Sequence, residues 1–169
     1  TSFLLIVVLL SVLLFSLVST GLYSMIPALD AIRGTVGCRL IMIVVKLLLD
    51  FMEIFSHKNI TVETKFSDEL KWQMNPTLAE TLVSNLLKNA FVHNYEGGHI
   101  HIYCSAHQFV VINSGSKKEL DKNKIFERFY STKTNGSSGL GLAIVRAICE
   151  ISLLNVNYYF EEGNHKFVI

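Results

Sequence analysis

The distribution of charge divides the chain into two parts of different character. Residues 1–29 carry no charged side chain, and residues 3–18 are apolar apart from two serines. Asp30 is the first charge, and Arg33 and Lys46 follow among the basic residues. About 20 apolar residues are enough for a helix to cross a bilayer, and basic residues favour the cytoplasmic side. The start of the chain is therefore a candidate membrane span.

Residues 1–39 are predicted to form an apolar N-terminal helix, which either spans a membrane through residues 2–26 or is a truncated dimerisation segment. A secretory signal peptide is disfavoured because no basic residue precedes the apolar run. The net charge of the chain is +1, which gives no indication of a nucleic-acid partner. Its three cysteines lie far apart with no CxxC pair, which argues against a zinc site or a disulfide framework.

Residues 40–169 have the pattern of a folded domain, and residues 40–56 are predicted to lead into it as an amphipathic helix. Further helices are predicted at 77–93 and 140–151, and strands at 59–66, 70–74, 99–105, 108–113, 156–161 and 166–169. This order predicts an α+β fold: a two-layer sandwich with a mixed or antiparallel sheet and helices on one face.

The second predicted helix carries the first indication of function. Asn75 is a good N-cap and Pro76 suits the first helical position. Asn85 and Asn89 lie four residues apart on one edge of the apolar arc of this helix, and His93 continues their line. Amides beside a packed face are costly unless something bonds them, and their carbonyl oxygens are suitable ligands for Mg²⁺. Taken alone, the pair is explained as well by hydrogen bonds to neighbouring loops.

Two later segments strengthen this indication. The segment Gly139-Leu140-Gly141-Leu142 leads from a Gly/Ser-rich loop into a helix, where the backbone can approach an anion closely. It lacks the Lys-Ser/Thr end of a P-loop, so a P-loop NTPase is disfavoured. Residues 125–130 place Arg128 among aromatic side chains, which predicts a lid from which Arg128 or Lys133 reaches phosphate. A tight turn and a surface arginine are the simpler interpretations.

In this order and spacing, the segments resemble the nucleotide-binding boxes of sensor histidine kinases, members of the GHKL superfamily. Residues 85–90 resemble the N box, residues 113–115 the G1 box, residues 126–130 the F box and residues 139–142 the G2 box. The resemblance covers roughly residues 45–169. It implies a sandwich that binds ATP between the N-box helix and a mobile lid.

The resemblance also implies roles for individual residues. Asn89 would be the main Mg²⁺ ligand, and Asn85 would assist it. Asn113 stands where the family usually has the aspartate that reads the adenine amino group, and an asparagine oxygen can still accept from that group. Two further departures from the family are Lys117, in place of a second G1 glycine, and Val92, where a basic residue is common. The full ATP-binding set would be Asn85, Asn89, His93, Asn113, Gly115, Arg128, Lys133, Gly139, Leu140, Gly141 and Leu142.

Position 85 distinguishes transfer from hydrolysis. The hydrolysing members of the superfamily have a glutamate there that activates water, whereas Asn85 cannot act as a base. The resemblance thus implies a histidine kinase, which donates the γ-phosphoryl group of Mg-ATP to a histidine.

The acceptor histidine is not found at the start of the chain. Residues 1–56 contain no histidine, and His57 lacks the acceptor context. The acceptor hairpin is therefore expected in trans or upstream, and a response regulator is the expected next partner. Two alternatives stay open: a membrane-anchored nucleotide-binding module without phosphotransfer, and a serine kinase of the anti-sigma type. The kinase interpretation implies the bacterial inner membrane, with the catalytic domain in the cytoplasm.

Overall fold

The structure, a computed structural model, describes residues 36–67, 74–105, 107–130 and 139–169. Residues 36–169 form one compact unit. The predicted N-terminal span at residues 2–26 lies outside the described residues. Within the described ranges, no helix is both long enough and apolar enough to cross a membrane.

The described part of the chain forms a sheet covered by helices. The helices are α1 (Val36–Ile54), α2 (Pro76–Val92) and α3 (Gly141–Ile151), and the strands are β1 (Thr61–Phe66), β2 (His99–Cys104), β3 (Phe109–Ser114), β4 (Asn157–Glu161) and β5 (Asn164–Val168). The strand order is β1-β2-β3-β5-β4. Strand β1 is parallel to β2, because the chain crosses over through α2 between them, and the other pairs are antiparallel. The predicted α+β sandwich with a mixed sheet is confirmed.

The core lies between α2 and one face of the sheet. Alternate residues of β2, Ile100, Ile102 and Cys104, are buried and pair with β3 positions whose side chains share their face. Seven residues of α2 are buried. The helix begins as predicted, since the Oδ1 of Asn75 accepts a hydrogen bond of 2.9 Å from the Thr77 amide.

Helix α1 is an integral part of this core. Leu40, Val44 and Leu48 recur every four residues and are all buried, which places one stripe of α1 against the domain. At its end, the rings of Phe51 and Phe55 stack on Phe91 of α2, with centroids 5.8 and 5.6 Å apart. The predicted helix over 40–56 thus corresponds to α1.

One local prediction lies mostly outside the described residues, and two local features differ from what was predicted. The predicted strand at 70–74 falls mostly outside the described residues, and Met74 belongs to no strand. Strand β5 begins at Asn164 rather than residue 166, because Glu162 and Gly163, with φ of 51° and 81°, form a two-residue turn. A short 3-10 helix, Ser56–Lys58, was not predicted.

Candidate functional site

The N-box edge of α2 meets the start of α3. The Nδ2 of Asn85 donates to the carbonyl of Thr81 at 2.8 Å, one helical turn earlier, which leaves Oδ1 as the outward group. A methyl group on Gly141 would lie 3.2 Å from that Oδ1. The structure therefore brings Asn85 and Gly141 together, and a larger residue at Gly141 would crowd the amide. Asn89 lies one turn further along α2 and is partly exposed.

The N-terminus of α3 is suited to an anion. Its N-cap residue is Leu140, whose side chain has no atom that can accept a hydrogen bond from the first-turn amides. The first of these amides belong to Gly141, the residue that borders Asn85, and to Leu142. Backbone N–H groups and the helix dipole favour negative charge at such a terminus.

At the base of the predicted lid, a backbone hydrogen bond joins Phe129 to Gly139. The Phe129 amide donates to the Gly139 carbonyl at 2.9 Å, and both residues have positive φ, 65° and 63°. A methyl group on Gly139 would lie 2.6 Å from the carbonyl carbon of Phe129, so only glycine fits. Arg128, which precedes Phe129, is exposed, and Lys133 lies outside the described residues.

Asn113 presents a buried acceptor. Its side chain is 2% exposed, and its Nδ2 donates to the Ser114 carbonyl at 2.8 Å. Among the described residues, no group donates to its Oδ1. A buried polar atom without a partner is costly and is therefore unusual in a folded protein. A ligand donor at this position would remove the cost.

The G1 segment also meets the end of α2. A methyl group on Gly115 would lie 3.1 Å from the carbonyl of His93, the C-cap residue of α2. The predicted site residues of α2, the G1 segment and the start of α3 therefore border one another pairwise: Asn85 with Gly141, and His93 with Gly115. That Asn89 holds a metal stays a prediction. In the described ranges, no group of three or more His, Cys, Asp or Glu side chains could hold a metal ion.

A buried polar cluster behind the site was missed by the sequence analysis. Asn94 and Ser114 are 5% and 2% exposed, and the Ser114 hydroxyl donates to Asn94 Oδ1 at 2.6 Å. The amides of His99 and Tyr95 donate to Ser114 Oγ and Asn94 Oδ1 at 2.8 and 3.0 Å. The cluster ties the end of α2 to β2 and β3. The one indication in the sequence was that Asn94 and Ser114 are small polar residues next to apolar strands.

The cap of α2 was also missed. The ammonium of Lys58 donates to the carbonyls of Phe91, Val92 and Asn94 at 2.9, 2.9 and 3.1 Å. A cation bonded to the last carbonyls of a helix stabilises its C-terminus. No local pattern indicated this contact, because Lys58 lies more than thirty residues from its partners.

Buried polar residues of β4 and β5 hold the chain that follows the G1 segment. His165 and Tyr158, each 6% exposed, are joined by a contact of 2.9 Å between His165 Nδ1 and the Tyr158 hydroxyl. Burial lowers the pKa of His165, although its hydrogen bond to the Ser116 carbonyl opposes the shift. The pKa of Tyr158 is raised, mainly by burial. Both groups are therefore neutral near pH 7.

Comparisons with known proteins indicate a single family. The sequence model of the histidine kinase-, DNA gyrase B-, and HSP90-like ATPase family matches residues 74–167. Sensor histidine kinase TmoS of Ectopseudomonas mendocina is 31% identical over 114 residues, which cover 60% of this chain and 12% of TmoS. Sensor protein QseC of Escherichia coli K12 is 35% identical over 86 residues, which cover 49% of this chain and 19% of QseC. The matched part thus spans less than a fifth of either relative.

Solved structures agree with this assignment. The nucleotide-free catalytic domain of histidine kinase ThkA has a TM-score of 0.68 and 28% identity, and the match covers 75% of this chain and 88% of that domain. Full-length ShkA in complex with AMPPNP has the same fold, with a TM-score of 0.58, 23% identity and coverage of 79% and 29%. The resemblance drawn from the four boxes is confirmed. The chain belongs to the family of histidine kinase-, DNA gyrase B- and HSP90-like ATPases, and it has the fold of the catalytic domains of sensor histidine kinases.

Proposed function

We propose that residues 40–169 are an ATP-binding catalytic domain that binds Mg-ATP and donates its γ-phosphoryl group to a histidine supplied by another chain or by an upstream part of the protein. The observation that carries the proposal is the buried, unbonded Oδ1 of Asn113. It lies at one end of a set of residues whose other end is the open N-terminus of α3.

The orientation of Asn113 favours adenine. Because Nδ2 is bonded to the Ser114 carbonyl, the side chain offers its oxygen, and not its nitrogen, to a ligand. The exocyclic amino group of adenine is a donor that would satisfy this oxygen. Guanine has a carbonyl oxygen at the same ring position, which would leave two acceptors facing each other. Gly115, two residues after Asn113, adds no side chain to this part of the site.

The opposite end of the site suits the phosphates. The first-turn amides of α3, at Gly141 and Leu142, would bind phosphate oxygens, and Leu140 and Gly139 carry the chain into that turn. Asn89, assisted by Asn85, would hold Mg²⁺ through amide oxygens. The ion, when bound, supplies positive charge that neutralises the phosphate oxygens during transfer.

The basic side chains near the lid and the end of α2 complete the proposed site. Arg128 is exposed at the base of the lid, and Lys133 follows within the lid segment. Either side chain can form charge-assisted hydrogen bonds with the phosphates. His93 ends α2 beside Gly115 and is proposed as a further phosphate contact.

The chemistry proposed is transfer and not hydrolysis. An amide at position 85 cannot take a proton from water, so the site holds ATP without a base directed at it. Catalysis would then consist of positioning and charge neutralisation. The receiving histidine would lie on a dimerisation hairpin, and a response regulator would take the phosphoryl group from it. Residues 2–26 are proposed as an inner-membrane anchor that leaves the domain in the cytoplasm.

Titration with a fluorescent ATP analogue, with and without Mg²⁺, tests the binding proposal. We expect Asn89→Ala to weaken binding about tenfold or more in Mg²⁺ and to abolish the Mg²⁺ dependence, as the loss of a metal ligand should. Asn113→Ala should weaken ATP and ADP binding alike. Asn157→Ala, an exposed asparagine on β4, is the matched control and should bind as the wild type does. Absence of nucleotide binding by the wild-type chain would refute the proposal.

Transfer is tested separately with a purified acceptor hairpin and radiolabelled ATP. The kinase proposal predicts an acid-labile phosphate on the hairpin, whereas acid-stable phosphate would indicate a serine kinase. ATP binding without transfer to any hairpin would favour the nucleotide-binding module. The observations that favour this module are the absence of an acceptor histidine from residues 1–56 and the altered G1 box, with Lys117 in place of a second glycine.

A further inference from the structure

A directed chain of hydrogen bonds links the far strands of the sheet to the segment that follows the G1 box. The Leu120 amide donates to the Tyr158 hydroxyl at 3.2 Å. The same hydroxyl contacts His165 Nδ1 at 2.9 Å, and His165 Nε2 contacts the Ser116 carbonyl at 2.8 Å. Two side chains, one from each strand of the β4–β5 hairpin, thus fix both ends of the segment 116–120.

The chemistry of these partners determines the protonation of the imidazole. A backbone carbonyl only accepts, so Nε2 must carry the hydrogen that bonds to Ser116. In neutral His165 the other nitrogen is then an acceptor, and the Tyr158 hydroxyl donates to it. The tyrosine oxygen is left to accept from Leu120. Every polar atom of the pair is satisfied in this single arrangement, which explains how both side chains tolerate burial.

The same imidazole borders the G1 segment. His165 lies directly opposite Asn113 in the β3–β5 register, so the two side chains share a face of the sheet. A methyl group on Gly115 would lie 3.1 Å from His165 Cδ2. The ring therefore supports the backbone just after Asn113 and simultaneously bonds to the carbonyl one residue later.

We propose that His165, oriented by Tyr158, is a positioning residue of the nucleotide site: it fixes the course of residues 115–120 so that Asn113 and Gly115 face the base correctly. This inference rests on the proposed function. The pair makes no contact with nucleotide in the proposal and acts only through the segment it holds. A core-packing role alone would require neither the single tautomer nor the two backbone partners in the loop.

The variant Tyr158→Phe isolates the hydroxyl. It keeps the ring, which packs on Phe167 with centroids 5.3 Å apart, and removes the partner of both Leu120 and His165. Tyr159→Phe, at the next position of β4 with a side chain 42% exposed, is the matched control. Dissociation constants for a fluorescent ADP analogue would be measured well below the unfolding temperature, beside the free energy of unfolding of each variant.

We expect Tyr158→Phe to raise the dissociation constant about fivefold, the effect of roughly one neutral hydrogen bond. We expect no change in Tyr159→Phe. In the wild type, imidazole ¹⁵N shifts should show the Nε2–H tautomer, and the Leu120 amide should lose its exchange protection in Tyr158→Phe. His165→Gln, which keeps a donor for Ser116, should bind nucleotide more tightly than His165→Leu.

The outcomes separate the two proposals. If the wild type binds nucleotide and Tyr158→Phe binds equally well while its stability falls, the pair is merely structural and the positioning proposal is wrong. An Nδ1–H tautomer in the wild type would also overturn it. If the wild type binds no nucleotide at all, the proposed function fails and the positioning proposal fails with it.

Discussion

Gly97 and Gly98 are adjacent, and a different constraint favours glycine at each of them. Gly97 has φ of 72°, and a methyl group on it would meet no atom within 4 Å. Gly98 is buried, and a methyl group there would overlap Asn94 Oδ1 and lie 2.5 Å from Ser114 Oγ. Alanine at Gly97 therefore tests backbone strain alone, and alanine at Gly98 tests the lack of space beside the polar cluster.

The structure allows the two costs to be compared. Alanine in a left-handed conformation costs about 1 kcal/mol, which is the full expectation for Gly97→Ala. In Gly98→Ala the methyl group must separate Asn94 from Ser114 and from the Tyr95 amide, so two hydrogen bonds worth about 1 kcal/mol each are lost. An unsatisfied oxygen left in this buried cluster adds about 1 kcal/mol or more. Gly98→Ala should therefore lower the free energy of unfolding by about 3 kcal/mol.

Urea unfolding followed by circular dichroism at neutral pH measures both variants. The slope of the free energy against urea should stay that of the wild type, so that a shift of midpoint reports stability. If Gly97→Ala is as destabilising as Gly98→Ala, the steric reasoning is wrong. The double variant Gly98→Ala/Ser114→Ala provides a second check, since its effect should be smaller than the sum of the single effects.

Three further predictions concern other groups. Lys58→Met should lower the free energy of unfolding by about 2 kcal/mol through loss of the α2 cap, whereas Lys46→Met, which breaks an exposed ion pair to α2, should cost under about 0.5 kcal/mol; thermal unfolding measures both. Burial lowers the pKa of His165 below 6.5, so the unfolded chain binds the proton first, and stability should decline as pH falls below 6.5, with a smaller slope in His165→Gln. Burial raises the pKa of Cys104 to about 12 and that of Cys149 to about 11, so alkylation followed by mass spectrometry at mild alkaline pH should label them only after unfolding.

The elements that sequence predicts well here are those with a strong local signal. Helix α2 has an Asn-Pro start and an apolar arc. Strand β2 alternates apolar and polar residues, and β3 begins with a continuous apolar run. The boxes around Asn85, Asn113 and Gly141 are recognisable for the same reason, because each is a short run of fixed residue types. Once the family fold is assigned correctly, it follows that these boxes lie beside one another in the structure.

The contacts that sequence does not predict are those between distant segments. Lys58 meets carbonyls more than thirty residues away, and His165 meets a carbonyl forty-nine residues away. Such pairs depend on strand register and helix placement, which no local pattern encodes. The start of β5 was misjudged because Asn164 is of a residue type typical of turns, whereas the real turn uses the two residues before it.

The packing of α1 and β1 has a consequence for how this protein can be divided. The family match begins at residue 74, after both elements. A fragment that started there would make β2 the edge strand of the sheet, with one side unpaired where its parallel neighbour from Thr61 to Phe66 is lost. It would also uncover Phe91 and the apolar side of α2. An exposed strand edge can pair with a strand of another chain, so such a fragment should aggregate. The region by which relatives are recognised is therefore smaller than the compact unit of residues 36–169, and expression boundaries should be set before Val36.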